Sequence, residues 1–173
     1  MVKRWVPWLS LVARFGLAAV LISSGGLKAM DPDQSEIAVR AYHILPESLI
    51  YPTSLVLPMF EIALGLLILI GLAVRPTAVV SALLFVVLIG VIASVWARGY
   101  KIDCGCFGGG GEDASVTWRH YLTEILRDVG FLVLALWLSV YPRTRWALGL
   151  GSRLRAPTDD RSNNVTDEKK ELV

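Results

Sequence analysis

Apolar residues in this chain fall in long runs rather than alternating with polar ones. Residues 55–74 read "LVLPMFEIALGLLILIGLAV", with Glu61 the single charge, and residues 77–96 read "TAVVSALLFVVLIGVIASVW", with none. A helix needs about 20 apolar residues to cross roughly 30 Å of hydrocarbon. The second run has no polar stripe of the kind a helix shows to water. Two further runs, at 6–27 and 118–141, are interrupted. Arg14 breaks the first; Arg119, His120, Glu124, Arg127 and Asp128 crowd the start of the other, ahead of the apolar "VGFLVLALWLSVY". Backbone groups find no hydrogen bonds in lipid, so each span must be a helix that satisfies its own.

The pattern predicts an all-α, polytopic four-helix membrane bundle. Its spans lie at 6–27, 55–74, 77–96 and 118–141, within one domain covering residues 1–156. Lys3, Arg4 and the "LKA" ending at Ala29 also fit a secretory signal peptide, but Arg14 inside the run and its spanning length favour a retained helix. Between the first two spans, Asp31, Pro32 and Gln34 form a helix-start signal. They predict a short helix on the membrane surface that ends before Pro46. Gly16, Ser23, Ser24, Gly25, Gly26, Gly65, Gly71 and Gly90 are small residues that let helices approach closely.

Composition agrees: 54% of residues are hydrophobic and 18% charged, against about 25% charged in soluble domains. The net charge is +2, and no basic stripe points to nucleic acid. Residues 157–173, "PTDDRSNNVTDEKKELV", are too polar to bury enough surface to offset ordering and read as a disordered cytoplasmic tail.

Orientation follows from Lys and Arg near the span ends. Four spans place both termini and the central turn on one side, with Lys3, Arg4, Arg75, Arg143, Arg145, Arg153 and Arg155. The opposite side holds fewer: Lys28, Arg40, Arg98, Lys101 and Arg119. The bias puts the termini in the cytoplasm and the loop after the third span outside; a bacterial inner membrane is the expected location. Trp5, Trp8, Trp96, Tyr100, Trp118 and Tyr141 sit near span ends, where aromatic belts form.

That outer loop reads "KIDCGCFGGGG" and carries both cysteines, Cys104 and Cys106. Disulfides persist outside the cytoplasm. A bond between these two would close a very small ring, which strained geometry makes more reducible; Gly105 relieves part of the strain. The following glycines supply a hinge, or room for a partner's backbone. A static staple gains little from so short a loop. Metal binding with His120 or His43 is an alternative, although zinc-type cysteine pairs are usually two to four residues apart. Redox exchange, metal binding and an incidental pair all remain open on spacing alone.

Arg14, Glu61, Arg127 and Asp128 lie within predicted spans, and intramembrane charges ordinarily pair with each other inside the bundle. They could form one structural network, or line a polar cavity beneath the cysteine loop that takes a proton or a quinone headgroup. Lys28 stands at the outer end of the first span. Glu61 is the first candidate for an acid that serves the disulfide chemistry, Asp128 the second.

"SSGGLKAMDP" at the end of the first span, "LPMFEIALGLLILIG" in the second, "DCGCFGG" after the third and "EILRDVG" in the fourth resemble the MauE branch of the DoxX-like membrane proteins, over about residues 8–142. The resemblance implies extracytoplasmic thiol–disulfide chemistry supporting the maturation of secreted or respiratory proteins, with a thioredoxin-like or DsbA-like partner. It makes Cys104 and Cys106 the redox pair and matches Lys28, Glu61, Arg127 and Asp128 to the family's polar positions. Other relatives belong to a thiosulfate:quinone oxidoreductase. A non-catalytic assembly subunit is the rival reading, and nothing in the chain indicates methylamine as a substrate.

Overall fold

The computed structural model describes residues 5–105 and 109–142. Cys106, the terminal basic residues that bear on orientation and the polar tail lie outside the described residues. The described chain is all-α apart from one two-stranded hairpin. Its elements are α1 (Val6–Met30), α2 (Pro32–Ala41), α3 (Glu47–Ile70), α4 (Val74–Ala97), β1 (Ile102–Asp103), β2 (Gly111–Glu112) and α5 (Trp118–Val140).

Three helices, α1, α3 and α4, are long and apolar enough to cross a membrane. All three run beyond or short of the expected spans for local reasons. Without a breaker before Asp31, α1 continues to Met30. α3 starts at Glu47, eight residues before the apolar run, with Pro46 at its N-cap, and it accommodates Pro52 and Pro58. It stops at Ile70 because Gly71 adopts the left-handed conformation (φ 79°). The Gly71 amide donates to the Ile68 and Leu67 carbonyls, and the Leu72 amide to Leu67, a glycine stop that satisfies the helix's last carbonyls. Gly71 is therefore a cap rather than a packing residue. α5 covers nearly the expected range, but its charged first half sets it apart from the three strongly apolar helices.

The α2 start follows its sequence signal. Asp31 Oδ1 accepts from the Gln34 amide at 3.0 Å, and Pro32 opens the helix. The Gln34 side chain does not reach back to the cap; it donates to the Gly110 carbonyl at 2.6 Å.

α1 packs mainly on α3, and α4 on α5. The first contact is set by two glycines that interlock. A Cβ on Gly25 would lie 2.7 Å from the Pro58 carbonyl oxygen and 3.0 Å from Glu61 Cβ; one on Gly65 would lie 2.7 Å from Ile22 Cγ1. Each helix thus presents bare backbone to the other at a different level. Gly26 and Gly90 face open space, so they do not share this role. The main core joins Leu17, Leu21, Ile68, Ala78, Phe85 and Leu138. A second cluster, with Ile92, Val95, Ile102, Cys104 and Tyr121, seats the hairpin on α4 and α5.

Candidate functional site

β1 and β2 pair antiparallel, with Ile102 opposite Glu112 and Asp103 opposite Gly111. The cysteine segment is therefore a hairpin loop. It is anchored at several points. Tyr121 Oη accepts from the Ile102 amide at 3.0 Å and donates to the Tyr100 carbonyl at 2.6 Å. Tyr42 Oη donates to the Cys104 carbonyl at 2.9 Å. Cys104 itself is buried, at 5% exposure, and its backbone amide lies against the Glu124 carboxylate.

Gly105 (φ 66°) and Gly110 (φ 105°) occupy backbone conformations that side chains rarely adopt. A Cβ on Gly110 would come within 2.7 Å of Ala38 Cβ, and one on Gly105 within 2.9 Å of the Gly109 carbonyl oxygen. These two glycines let the loop fold tightly against itself and lie on α2. Both positions therefore demand glycine for close packing.

Beneath the loop, a cavity of about 320 Å³ lies between α1, α2, α3 and the hairpin; Lys28, Tyr42, Ser54, Pro58, Cys104 and Gly105 are among its walls. At its α1 side Lys28 Nζ meets Glu61 Oε1 at 2.8 Å, with Glu61 almost fully buried. Ser24 Oγ donates to Glu61 Oε2 at 3.0 Å. A second cavity, of about 20 Å³, lies between Glu61, Ser24, Phe85, Phe131 and Asp128. That is room for about one water molecule. Asp128 Oδ1 accepts from Arg127 Nε at 3.0 Å, while its buried Oδ2 has no hydrogen-bond partner among the described residues. Leu88 lines both cavities.

Of the predicted intramembrane charges, Glu61 pairs with Lys28 at the span end and Arg127 with Asp128, and the two acids line one small, mostly apolar void. Arg14 is buried lower on α1, with its guanidinium 5.2 Å from the Phe15 ring centre. It lies fourteen residues from Lys28, roughly 21 Å along the helix, and so stands apart from the cysteine-side cavity.

On the other flank of Cys104, His120 Nε2 is 3.5 Å from both Asp103 Oδ1 and Glu124 Oε1. His120 and Glu124 are four apart on α5 and so share a face; that spacing was readable in the sequence, whereas the approach of Asp103 was not. His43, the other histidine, lies against Glu112 at 3.3 Å and the Tyr100 ring. In the turn after β2, Asp113 Oδ1 accepts from the Ser115 amide at 2.8 Å and hydroxyl at 2.7 Å. These bonds hold the Asp113 carboxyl below its ordinary range.

Comparison with known proteins places this chain in a family. The family model described as "Methylamine utilisation protein MauE" matches residues 6–141. The methylamine utilization protein MauE of Paracoccus denitrificans is 32% identical over 134 residues, covering 75% of this chain and 69% of that protein. No solved structure matches. With three strongly apolar helices and a match across the whole helical region, the chain is a membrane protein of the MauE family.

Proposed function

We propose that this protein is a membrane thiol–disulfide exchanger in which Cys104 and Cys106 react with an extracytoplasmic thioredoxin-like protein. The observation that carries the reading is the position of Cys104. It sits on a loop fixed by Tyr42 and Tyr121, at the wall of a cavity that continues to the Lys28–Glu61 pair.

Two elements of the topology belong to the proposal. The first is that α5 is a fourth span. Its charges Glu124 and Asp128 are buried, while Leu122, Leu126, Val129, Val133, Leu136 and Val140 form an exposed stripe at helical spacing. Hydropathy averages over both faces, but lipid meets only the outer one. The second is that α2 and the hairpin lie outside the cytoplasm, as the distribution of Lys and Arg favours.

Exchange proceeds by attack of a thiolate on a disulfide through a mixed disulfide; in the oxidising direction the partner's thiolate attacks the Cys104–Cys106 bond, and the partner's second thiolate then resolves the mixed disulfide. Two partner thiols thereby become a disulfide while the Cys104–Cys106 disulfide becomes a dithiol. Reoxidation then requires an acceptor of two electrons and two protons. A membrane quinone supplies that chemistry when bound. The 320 Å³ cavity is in the range of small-molecule sites, whereas the 20 Å³ void between Glu61 and Asp128 would exclude a ring. In this scheme Lys28 orients a carbonyl oxygen, and Glu61 and Asp128 hold protons on the far side of it. The relative's name assigns it to methylamine utilisation; for this chain we infer the broader task of supporting maturation of a secreted or respiratory protein.

Cells expressing Cys104→Ser or Cys106→Ser provide the test. One of the two variants should accumulate a reducible adduct with a thioredoxin-fold protein, seen on non-reducing gels. Absence of any adduct from both, together with full complementation by the double Ser variant, would instead make the protein a non-catalytic assembly subunit.

A further inference from the structure

The cluster of Asp103, His120 and Glu124 has the geometry of a cation site. One ligating atom from each residue lies within 4.8 Å of the others. His120 Nε2 is 3.5 Å from each of the two carboxylate oxygens, too long for good hydrogen bonds. Ligands bound to zinc at about 2.1 Å in a tetrahedron stand about 3.4 Å apart. The two distances from His120 are thus close to the edges of a metal tetrahedron, and all three ligating atoms lie near enough to share one ion.

A second observation is independent of the spacing. Glu124 is more than nine-tenths buried, its Oε1 faces His120, and its Oε2 has no hydrogen-bond partner among the described residues. A buried carboxylate oxygen left without a partner is costly, and a bound cation would satisfy it. Charge is consistent as well: two carboxylates and a neutral imidazole balance a dication. Arg119 also lines the adjoining pocket, yet its guanidinium lies over the Trp118 ring, 5.5 Å from the ring centre. That pocket, of about 290 Å³ with Asp113, Ser115 and Thr123 in its walls, leaves one side of the cluster open for a fourth ligand. An imidazole with two carboxylates suits a borderline divalent ion better than calcium or copper(I).

We propose that Asp103, His120 and Glu124 bind a divalent transition-metal ion of the zinc type, which clamps the cysteine hairpin to the start of α5. The site uses no cysteine and does not depend on thiol exchange. Asp103 precedes Cys104 in the chain, and Glu124 touches the Cys104 amide, so the ion would fix the loop at its reactive residue.

The full chain, purified in detergent and stripped with EDTA, can be titrated with Zn²⁺ and with Co²⁺, and its metal content measured after desalting. The expected result is one ion per chain, with affinity at least tenfold weaker in His120→Gln and Glu124→Gln. Binding should be unchanged in the Cys104→Ser/Cys106→Ser double variant, which is where this site parts from the exchange mechanism. Bound Co²⁺ should show visible d–d absorption without a thiolate-to-cobalt band. The Co²⁺ spectrum is read on the unaltered chain, so it decides the ligand type even where a variant fails to fold. No stoichiometric metal, a thiolate band, or loss of binding only in the double cysteine variant would each overturn the site.

Discussion

Replacing Gly25 with alanine should destabilise the protein, whereas the same change at Gly26 should not. A Cβ at Gly25 would meet the Pro58 carbonyl oxygen at 2.7 Å and Glu61 Cβ at 3.0 Å; at Gly26 nothing lies within 4 Å. Relief requires α1 and α3 to separate by about 0.7 Å to restore ordinary contact. The obstacle is backbone, so no side-chain rotation can remove it. That shift would also stretch the 2.8 Å Lys28–Glu61 contact, which lies one turn away. Overpacking of this kind costs about 1–3 kcal/mol. Alanine gains up to about 1 kcal/mol of helix propensity over glycine, but this applies equally at both positions in α1 and cancels in the comparison. Unfolding in mixed micelles of a mild detergent with increasing dodecyl sulfate, followed by circular dichroism, should therefore rank Gly26→Ala above Gly25→Ala by about 1–3 kcal/mol. Two variants of equal stability, or the reverse order, would refute the interlock.

Three further outcomes follow from the site. Lys28→Met leaves the nearly buried Glu61 carboxyl without its ion-pair partner, so it should cost about 3–5 kcal/mol in the same assay, with much of the loss recovered in Lys28→Met/Glu61→Gln; a double variant as unstable as the single would rule out the pairing. Tyr42→Phe deletes the hydrogen bond to the Cys104 carbonyl, worth about 1 kcal/mol, so alkylation of reduced Cys104 through local opening should accelerate about fivefold. The Asp113 carboxyl is held low by Ser115, so its contribution to the turn is present above the ordinary carboxylate pKa and lost as pH falls through its lower native value. NMR titration should show the Ser115 amide signal moving at that lower pH, and Ser115→Ala should return Asp113 toward the ordinary range.

Much of the fold was legible because lipid-spanning helices are written in runs of apolar residues, and α1 and α4 carry such runs nearly end to end. The limits of α3 were not, since hydropathy sees neither the helical turns before Leu55 nor the stop at Gly71, where Leu72 and Ala73 are as apolar as the helix they follow. The cap at Asp31 could be read because capping depends on residues three apart. Glu61 and Asp128 stood out as charges in apolar sequence, but their meeting across one small void depends on how α1, α3 and α5 pack. Lys28 as the partner of Glu61 was hidden for the same reason: the two are 33 residues apart. The anchoring roles of Tyr42, Gln34 and Tyr121 carried no sequence signal, because an isolated tyrosine or glutamine looks the same whether it faces water or holds a loop.

The most direct test of the exchange mechanism is labelling of intact cells with a membrane-impermeant maleimide, before and after reduction. The account predicts that Cys104 and Cys106 resist the reagent in oxidised cells and become reactive from outside after mild reduction, in step with each other. Cysteines that stay unreactive from outside under both conditions, and label only after the membrane is opened, would contradict it.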